Sequence, residues 1–293
     1  MIDSTSAVIP WHCPSCSRPH QQRQFDFSLS WKDTPFDIFR CICGMLYSSY
    51  ALRHEAPDIY DLNYYNSERY RNTNARQAYI QHIAAHMEQA LTNHPVAGRK
   101  LLDIGCATGD FVSWASAAGW EAEGVDISED AVAEGCARGL PLRQQDLTGL
   151  PTEGHRYDVV TAWDLLEHLP DMSLLLSVAR SILTPQGVLV LKTVSSESII
   201  ESLARLLLRA SAGRLQTPLQ RIYVPGHLYY FTPQALQQFL HRHQWEILLL
   251  NQADTPSSAL SSSRITQLGL DTVFSVQKRL ARCYELVVAC RPK

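Results

Sequence analysis

Lys100-Leu-Leu-Asp-Ile-Gly-Cys-Ala-Thr-Gly-Asp-Phe111 is the stretch that decides the fold of this 293-residue sequence. An apolar run carrying one acid enters a glycine-containing turn, and a helix-like segment, 111–118, follows. A short apolar run is typical of a buried parallel strand, and a turn without side chains lets a ligand approach its backbone. The next helix N-terminus offers unpaired N–H groups. The stretch indicates a strand–loop–helix nucleotide site, although an ordinary strand and turn can show the same pattern.

Two later acids stand at the ends of the following strands. Asp126 closes a short strand, 121–126, and lies 21 residues after Gly105, a spacing at which an acid can accept two ribose hydroxyls. Asp146 belongs to a third strand–turn, 142–147. Further strands (157–163 and 187–193) alternate with helices (128–137 and 172–183). This alternation predicts an α/β fold with a doubly wound parallel sheet and a ligand at the carboxyl ends of its strands.

The order and content of these pieces resemble the class I S-adenosylmethionine-dependent methyltransferases. The similar motifs are Leu102–Gly109, Val125-Asp126, Gln145-Asp146-Leu147, Tyr157-Asp-Val-Val, Glu167-His168-Leu169 and Leu183-Thr-Pro-Gln-Gly-Val-Leu-Val. The resemblance implies a mostly parallel seven-stranded, Rossmann-like methyltransferase fold over residues 99–293 and S-adenosyl-L-methionine as cofactor. Many family members have glycine where this chain has Ala107, a departure that is tolerable if Ala107 keeps a negative φ.

The resemblance also implies a set of cofactor-binding residues. These are Asp103, Gly105, Cys106, Ala107, Gly109, Asp126, Ile127, Asp146, Leu147, Trp163 and, from an earlier segment, Tyr70. A nicotinamide dehydrogenase is the rival interpretation of a glycine turn followed by an acid. The third glycine of G-x-G-x-x-G is absent, however, and nearby acids suit a positive sulfonium better than a pyrophosphate. Methyltransferase is therefore the favoured class.

Four of the eight cysteines lie near the N-terminus, in Cys13-Pro-Ser-Cys16 and Cys41-Ile-Cys43. Two cysteine knuckles brought together suit a closed, structural zinc site, which would help a segment too small for its own core to fold. Residues 1–48 resemble the zinc ribbon found in front of some methyltransferases. Those ribbons usually have two residues between the second pair of cysteines, so His12 or His20 remains an alternative ligand.

The rest of the chain is predicted to build a lid and close the sheet. Residues 49–98 form a helical linker or lid with a helix at 75–91, and Tyr65, Arg69 and Tyr70 are lid residues in this hypothesis. Residues 194–232 form a substrate-lid insertion whose helix, 195–212, is expected to pack through Ile199, Ile200, Leu203, Leu206 and Leu207. A loop at 254–263 and a helix at 264–282 precede a last strand, 284–290, which the resemblance places antiparallel at the sheet edge.

Two histidines are candidates for the catalytic base. Methyl transfer requires alignment and exclusion of water, and a hydroxyl acceptor must also lose a proton. His168 follows the fourth strand, and His227, the first choice, lies among aromatic residues in Gly226-His-Leu-Tyr-Tyr-Phe231. A structural role, with the ring hydrogen-bonded, is the alternative for each. Asn-Pro-Pro-Tyr, a mark of amino-group methylation, is absent, which favours a hydroxyl or carbon acceptor on a small molecule, sugar or lipid.

Composition and charge indicate which classes of binding partner suit this chain. A net charge of -3, with 45% hydrophobic and 19% charged residues, is typical of a globular protein and argues against a nucleic-acid partner. No apolar run reaches membrane-span length and no signal peptide is visible, so we expect a cytoplasmic location. The basic segment 195–214 leaves peripheral membrane contact open. Methylation of RNA or protein with the ribbon as docking module, C-methylation, and a non-catalytic scaffold are the alternative functions.

Overall fold

The computed structural model describes residues 12–19, 23–31, 34–53, 72–150 and 156–293. The predicted lid residues Tyr65, Arg69 and Tyr70, and the alternative ligand His20, lie outside the described residues. The strands are β1 (Arg23–Trp31), β2 (Thr34–Cys41), β3 (Leu46–Ser48), β4 (Lys100–Ile104), β5 (Glu121–Asp126), β6 (Leu142–Gln144), β7 (Tyr157–Trp163), β8 (Leu183–Val194), β9 (Tyr229–Tyr230), β10 (Trp245–Ala253) and β11 (Glu285–Pro292).

Nine helices join these strands in the described ranges. They are α1 (Thr73–Asn93), α2 (Asp110–Ala117), α3 (Glu129–Ala137), α4 (Met172–Ile182), α5 (Ile199–Ala210), α6 (Thr217–Gln220), α7 (Pro233–Arg242), α8 (Ser257–Leu260) and α9 (Arg264–Arg279). Several begin where a side-chain oxygen accepts a hydrogen bond from the first turn, for example Ser128 before α3 and Thr232 before α7. Residues 254–263, predicted to be a loop, contain one short helix, α8. Within the described ranges, no helix has the length and apolar character required to cross a bilayer.

Seven strands form the central sheet in the order β10-β11-β8-β7-β4-β5-β6. Neighbours from β8 to β6 run parallel, while β11 runs antiparallel to both β8 and β10. The predicted doubly wound, mostly parallel sheet is confirmed. The predicted position of the last strand is wrong, because β11 lies inside the sheet and β10 forms the edge. Burial explains the order: Leu286 to Cys290 of β11 are buried, whereas β10 is mostly half-buried.

The sheet separates two apolar layers. In β4, Leu101 packs with Met87 of α1 on one face, and Leu102 packs with Leu176 of α4 on the other. This alternation is the two-residue period of a strand buried on both faces. The carboxyl ends of β4, β5, β7 and β8 consequently meet at one edge, called here the carboxyl edge, which is where ligands bind in open α/β sheets.

The described part of the N-terminal segment is joined to the rest of the chain through a second sheet. Its order is β1-β2-β3-β9, and β3 pairs with β9 through Leu46 with Tyr230 and Tyr47 with Tyr229. Tyr47 is fully buried in the cluster that also holds Leu102. The predicted ribbon segment 1–48 therefore shares strand pairing and core with residues 229–230.

Helix α5 has an unexpected orientation. Its leucines were expected to pack inward, but Leu203, Leu206 and Leu207 are exposed, Leu206 by 61%. The buried side of the helix carries Glu201 and Ala204 instead. The expected inward packing is wrong for these three leucines, whereas Ile200, Ala204 and Leu208 do pack against a buried cluster. Arg205, on the inner side of α5, pairs with Asp26 of β1.

Candidate cofactor and acceptor site

The loop after β4 is held by backbone hydrogen bonds from its first residues. The N–H groups of Gly105 and Cys106 donate to the Val125 carbonyl, at 2.8 and 3.1 Å. Gly105 and Gly109 both have left-handed φ values, 77° and 80°. A Cβ atom on Gly109 would also lie 2.8 Å from the Leu142 side chain. The left-handed φ favours glycine at both positions, and at Gly109 a side chain would also collide with Leu142.

Ala107 departs from the expectation. Its φ is 48°, so the condition of a negative φ is not met. A left-handed alanine costs roughly 1–2 kcal/mol. The Ala107 N–H donates to Asp126 Oδ2 at 2.8 Å, and this hydrogen bond offsets part of that cost.

Asp126 joins the end of β5 to this loop. Its Oδ2 accepts from Ala107 and its Oδ1 accepts from the Ser128 N–H at 2.9 Å. A carboxylate offers about four lone-pair positions, so two remain for a ligand's hydroxyls. Burial raises the pKa of Asp126, while hydrogen bonds from Ser128 and Ala107 act in the opposite direction. The side chain is therefore fixed before any ligand arrives.

Asp103 and Cys106 lie beneath the loop. Asp103 is 2% exposed, and the Thr161 hydroxyl on β7 donates to its Oδ1 at 2.7 Å. Burial raises the pKa of Asp103 to about 7. Burial also raises the pKa of the Cys106 thiol, which keeps it protonated and unreactive. Both residues support the loop from below.

The remaining predicted cofactor residues differ in exposure. Ile127, directly after Asp126, is 69% exposed, and Asp146 is exposed at the rim. The Thr148 hydroxyl and Gly149 N–H donate to Asp146 Oδ1, and the Thr148 bond lowers the pKa of Asp146. Leu147 is half-buried against the core. Trp163 is buried and lies edge-to-face with Phe111, with ring centroids 5.1 Å apart.

Two arginines clamp the end of the loop, and no motif pointed to them. Arg76 of α1 donates to the Thr108 hydroxyl at 3.2 Å and pairs with Asp110, the first residue of α2. Arg138 donates to the Thr108 carbonyl at 3.1 Å and to Asp110 Oδ1 at 2.9 Å. The acid at the start of α2 was the only sequence signal for this clamp.

A buried ionic network crosses the carboxyl edge. Lys192 Nζ lies 2.6 Å from Asp164 Oδ1 and 2.9 Å from Glu285 Oε1. The Tyr79 hydroxyl donates to Asp164 Oδ2 at 2.7 Å, and His82 Nε2 lies 2.8 Å from Glu285 Oε2. Burial disfavours the ammonium, but the two carboxylates outweigh it and raise the pKa of Lys192. The network joins α1, β7, β8 and β11 at the edge where a ligand would bind.

The sequence contains one signal for this network. Lys192 is the only charged residue in the apolar strand β8, Leu183–Val194. A lone lysine in a strand buried on both faces requires a paired acid. The partner lies 93 residues further along the chain, and local patterns do not identify such a pairing.

The two predicted histidines come together at the end of β7. The rings of His168 and His227 are 4.6 Å apart between centroids. The His168 Nδ1 and the Gly226 carbonyl are 2.7 Å apart, so this nitrogen is the donor and Nε2 carries the lone pair. Burial lowers the pKa of His168, while the Gly226 carbonyl acts in the opposite direction.

Glu167 completes this group. It is fully buried, and the Thr193 hydroxyl donates to its Oε2 at 2.8 Å. Burial raises the pKa of Glu167 to about 8, which keeps the acid protonated near neutral pH. Its backbone carbonyl accepts from the Leu228 N–H at 2.7 Å, and this bond ties the two histidine segments together. Leu165, two residues before Glu167, lies against the loop after β4, since its side chain would be 3.2 Å from a Cβ on Gly105.

The four N-terminal cysteines form a compact group. All four Sγ atoms lie within 4.8 Å of one another, with Cys13 and Cys43 3.7 Å apart and Cys16 and Cys41 3.5 Å apart. Tetrahedral zinc with bonds of about 2.3 Å requires sulfur separations of about 3.8 Å, so the group fits such an ion. The hydrogen bond from Cys13 lowers the pKa of Cys43 to about 5. Because the four thiols already make a full set, His12, which is exposed, is not needed as a ligand.

Comparison with known proteins fixes the family. A family model described as a methyltransferase domain matches residues 71–250. This chain belongs to the methyltransferase-domain family. The class implied by the loop, the two acids and the strand order is confirmed.

The methyltransferase resembles relatives of known name and structure. The ubiquinone biosynthesis O-methyltransferase of Methylococcus capsulatus is 29% identical over 123 residues, covering 40% of this chain and 49% of that protein. The chain thus spans about half the length of the curated relatives it matches. A SAM-dependent methyltransferase from Archaeoglobus fulgidus has a TM-score of 0.52 and 19% identity, over 78% of this chain and 99% of that one. One from Mesorhizobium loti has a TM-score of 0.50 and 18% identity, over 71% and 97%. The two structures share the fold.

Proposed function

We propose that this methyltransferase transfers a methyl group from S-adenosyl-L-methionine to a hydroxyl of a small molecule, sugar or lipid. The observation that carries the proposal is the His168–His227 pair, whose rings are 4.6 Å apart, in a segment after β7 whose Leu165 lies against Gly105. A hydroxyl acceptor has to lose a proton, and a positioned base serves that step. The name of the curated relatives, ubiquinone biosynthesis O-methyltransferase, supports oxygen as the accepting atom.

The loop after β4 and the two acids are the proposed cofactor site. Asp126, with two lone-pair positions left over, would accept the ribose hydroxyls, and Ile127 and Asp146 would border the adenine. The exposed Ile127 suits an aromatic ligand face, which would remove its apolar surface from water. The cofactor, when bound, supplies an electrophilic methyl group on its sulfonium. Tyr70 and Trp163 remain predicted contacts.

We assign the acceptor proton to the histidine pair. The Gly226 carbonyl holds His168 in one tautomer, with Nε2 as the proton acceptor. The lowered pKa of His168 keeps the ring neutral at pH 7, as a base requires. His227 remains the first choice for direct contact with the acceptor, and its ring faces both His168 and Tyr230. The lid insertion 194–232 would exclude water from this space.

A labelled-methyl screen tests the proposal. Purified protein is incubated with labelled S-adenosylmethionine and hydroxylated metabolites, nucleotide sugars, quinol-type lipids or RNA. We expect label in a base-stable ether on a small hydroxyl compound. Label in RNA or protein would instead support the alternative in which the ribbon serves as the docking module. Label on carbon would contradict the assignment of oxygen.

Histidine variants test the base. His168→Ala and His227→Ala should each lower kcat by at least about 100-fold and leave the Kd of the cofactor within about threefold. His241→Ala, an exposed histidine on α7, is the matched control and should keep full activity. Full turnover in both site variants would remove the base assignment, and loss of cofactor binding would show damage to the fold instead.

We also propose that the four cysteines bind a structural zinc ion. The sulfur separations support this, and a closed set of four thiolates leaves no position for a substrate water. Metal analysis of protein purified without chelators should find one zinc per chain. Cys16→Ser should lose the metal, whereas Cys136→Ser, which changes an exposed cysteine elsewhere, should keep it.

A further inference from the structure

Helices α5 and α9 each carry an exposed apolar stripe, and the two stripes together are called here the α5–α9 face. On α5 it consists of Leu203, Leu206 and Leu207, which lie three and four residues apart and therefore on one side of the helix. On α9 it consists of Ile265, Leu268, Val276 and the following Leu280, with Ile265 87% and Leu268 70% exposed. Single exposed leucines are ordinary, but two adjoining helices with outward apolar stripes mark an interaction site.

The two helices are fixed to each other. The Ile200 N–H donates to Gln277 Oε1 at 2.9 Å, and the Ile199 N–H donates to the Arg282 carbonyl at 3.2 Å. The Arg282 guanidinium donates to Ser202 Oγ at 2.7 Å. These contacts join the start of α5 to the end of α9, so the helices that carry the two stripes are held as neighbours.

Buried charges prevent α5 from rotating its leucines inward. Arg205 on the inner side lies 2.6 Å from Asp26 of β1 and pairs with Glu201. The Tyr223 hydroxyl donates to Glu201 at 2.7 Å. Turning the helix to bury the leucines would break this group and leave charges unpaired, which is costly in the interior. The outward apolar stripe is therefore a fixed property of the fold.

The segments that carry the α5–α9 face are basic as well as apolar. Between residues 199–215 and 257–282 the exposed charged side chains are Arg209, Arg214, Arg264, Lys278, Arg279, Arg282 and Asp271, six cations against one anion. The whole chain has a net charge of -3, so the rest of the molecule is acidic. Leucine and isoleucine between arginines are typical of helices that lie in the interface of an anionic bilayer.

We propose that the α5–α9 face docks this protein on an anionic lipid membrane. The apolar side chains would enter the boundary between headgroups and acyl chains, and the cations would contact anionic headgroups. Ser195, at the end of β8, is hydrogen-bonded to Tyr284, just before β11, so the face adjoins the carboxyl edge. The docked protein would present that edge toward the membrane. The proposal stands on the surface alone and is independent of the methyl acceptor.

Vesicle co-sedimentation tests the docking. The full chain is mixed with phosphatidylcholine vesicles, with or without phosphatidylglycerol. We expect binding to the anionic vesicles, at least tenfold weaker binding to neutral ones, and loss of binding as salt is raised. Leu206→Glu combined with Leu268→Glu, and separately Arg209→Glu combined with Arg279→Glu, should each weaken binding at least tenfold.

Matched controls lie on other surfaces. Phe25→Glu changes an apolar side chain of β1 that is 60% exposed, and Arg242→Glu changes an exposed arginine of α7. Both should bind anionic vesicles like the unchanged protein, and thermal melting and cofactor binding should be normal in every variant compared.

Three results would overturn the proposal. One is no binding to anionic vesicles. Another is equal weakening by the control variants. The third is a change from dimer to monomer in the leucine variants without any vesicle binding, which would assign the face to contact between two copies of this chain.

Discussion

Asp126 holds the loop after β4 through hydrogen bonds, in addition to carrying its charge. Both of its oxygens accept backbone N–H groups, one from Ala107 in its left-handed conformation and one from Ser128. An amide nitrogen in place of either oxygen would face an N–H donor. Asp126→Asn should therefore raise the Kd for S-adenosylmethionine at least tenfold, measured by calorimetry.

The control for this change is Asp130→Asn on α3, an exposed acid close in sequence. It should leave the Kd unchanged. Equal affinity of the Asp126 variant and the original protein would show that neither the loop nor the ribose depends on this carboxylate.

Asp103 is expected to make the free energy of unfolding decrease as pH rises, which is the opposite of the usual effect of a carboxyl group. Burial raises its pKa to about 7, so between about pH 4 and 7 the folded state holds a proton that the unfolded state releases. Stability due to this group therefore falls as pH rises through that range. Asp103→Asn, whose carbonyl can still accept from Thr161, should gain roughly 1–3 kcal/mol of unfolding free energy at pH 8 and little at pH 4.

Urea unfolding of the ligand-free protein at the two pH values measures this difference. The same stabilisation at both values would indicate an effect other than ionisation of Asp103. Cofactor binding should be measured in parallel, because the loop rests on this residue.

At the scale of elements, Lys192 links strands that are distant in sequence. It pairs with Asp164 at the end of β7 and with Glu285 at the start of β11. Lys192→Met would leave the buried Glu285 carboxylate and the half-buried Asp164 carboxylate without their cation and should cost about 3–5 kcal/mol of unfolding free energy. Denaturant titration provides the measurement.

A second variant separates charge from packing. Adding Glu285→Gln to Lys192→Met removes one of the stranded charges and should recover part of the loss, giving a clear coupling energy in a double-mutant cycle. Strictly additive losses would mean that the ion pair contributes nothing beyond the packing of each side chain.

Local patterns predicted the elements that depend on local chemistry. The β4 strand, its glycine loop and the acids that follow were visible because strand period, turn conformation and helix capping act within a few residues. The inward side of α5 was not predictable in this way, since it depends on Asp26 and Tyr223 from other parts of the chain. The position of β11 between β8 and β10 is likewise a non-local result. The left-handed Ala107 needed knowledge of the Asp126 contact.

Across the whole molecule, the cysteine group and the methyltransferase core are predicted to melt together. Met45 and Tyr47, beside the cysteines, are buried in the cluster that contains Leu228 and Leu240. Chelation of a bound zinc ion should therefore lower the Tm of a single transition by at least about 5 °C. Calorimetry with and without chelator measures this, and re-addition of zinc should restore the Tm.

Two separate transitions, with the second unchanged by chelator, would contradict this coupling. Cys16→Ser should reproduce the effect of the chelator, and Cys136→Ser should melt like the original protein.

The pairing of β3 with β9 joins two segments that the ribosome synthesises at different times. The cysteines occupy positions 13 to 43, and they can gather around metal while most of the chain is still unmade. The sheet beside them lacks its last strand until Tyr229 and Tyr230 have been synthesised, about 180 residues later. Until then β3 is an open edge, the kind of surface that pairs wrongly with other chains. At 5–20 residues per second this exposure lasts on the order of 10–40 s, during which ribosome-associated chaperones would have to shield the nascent edge.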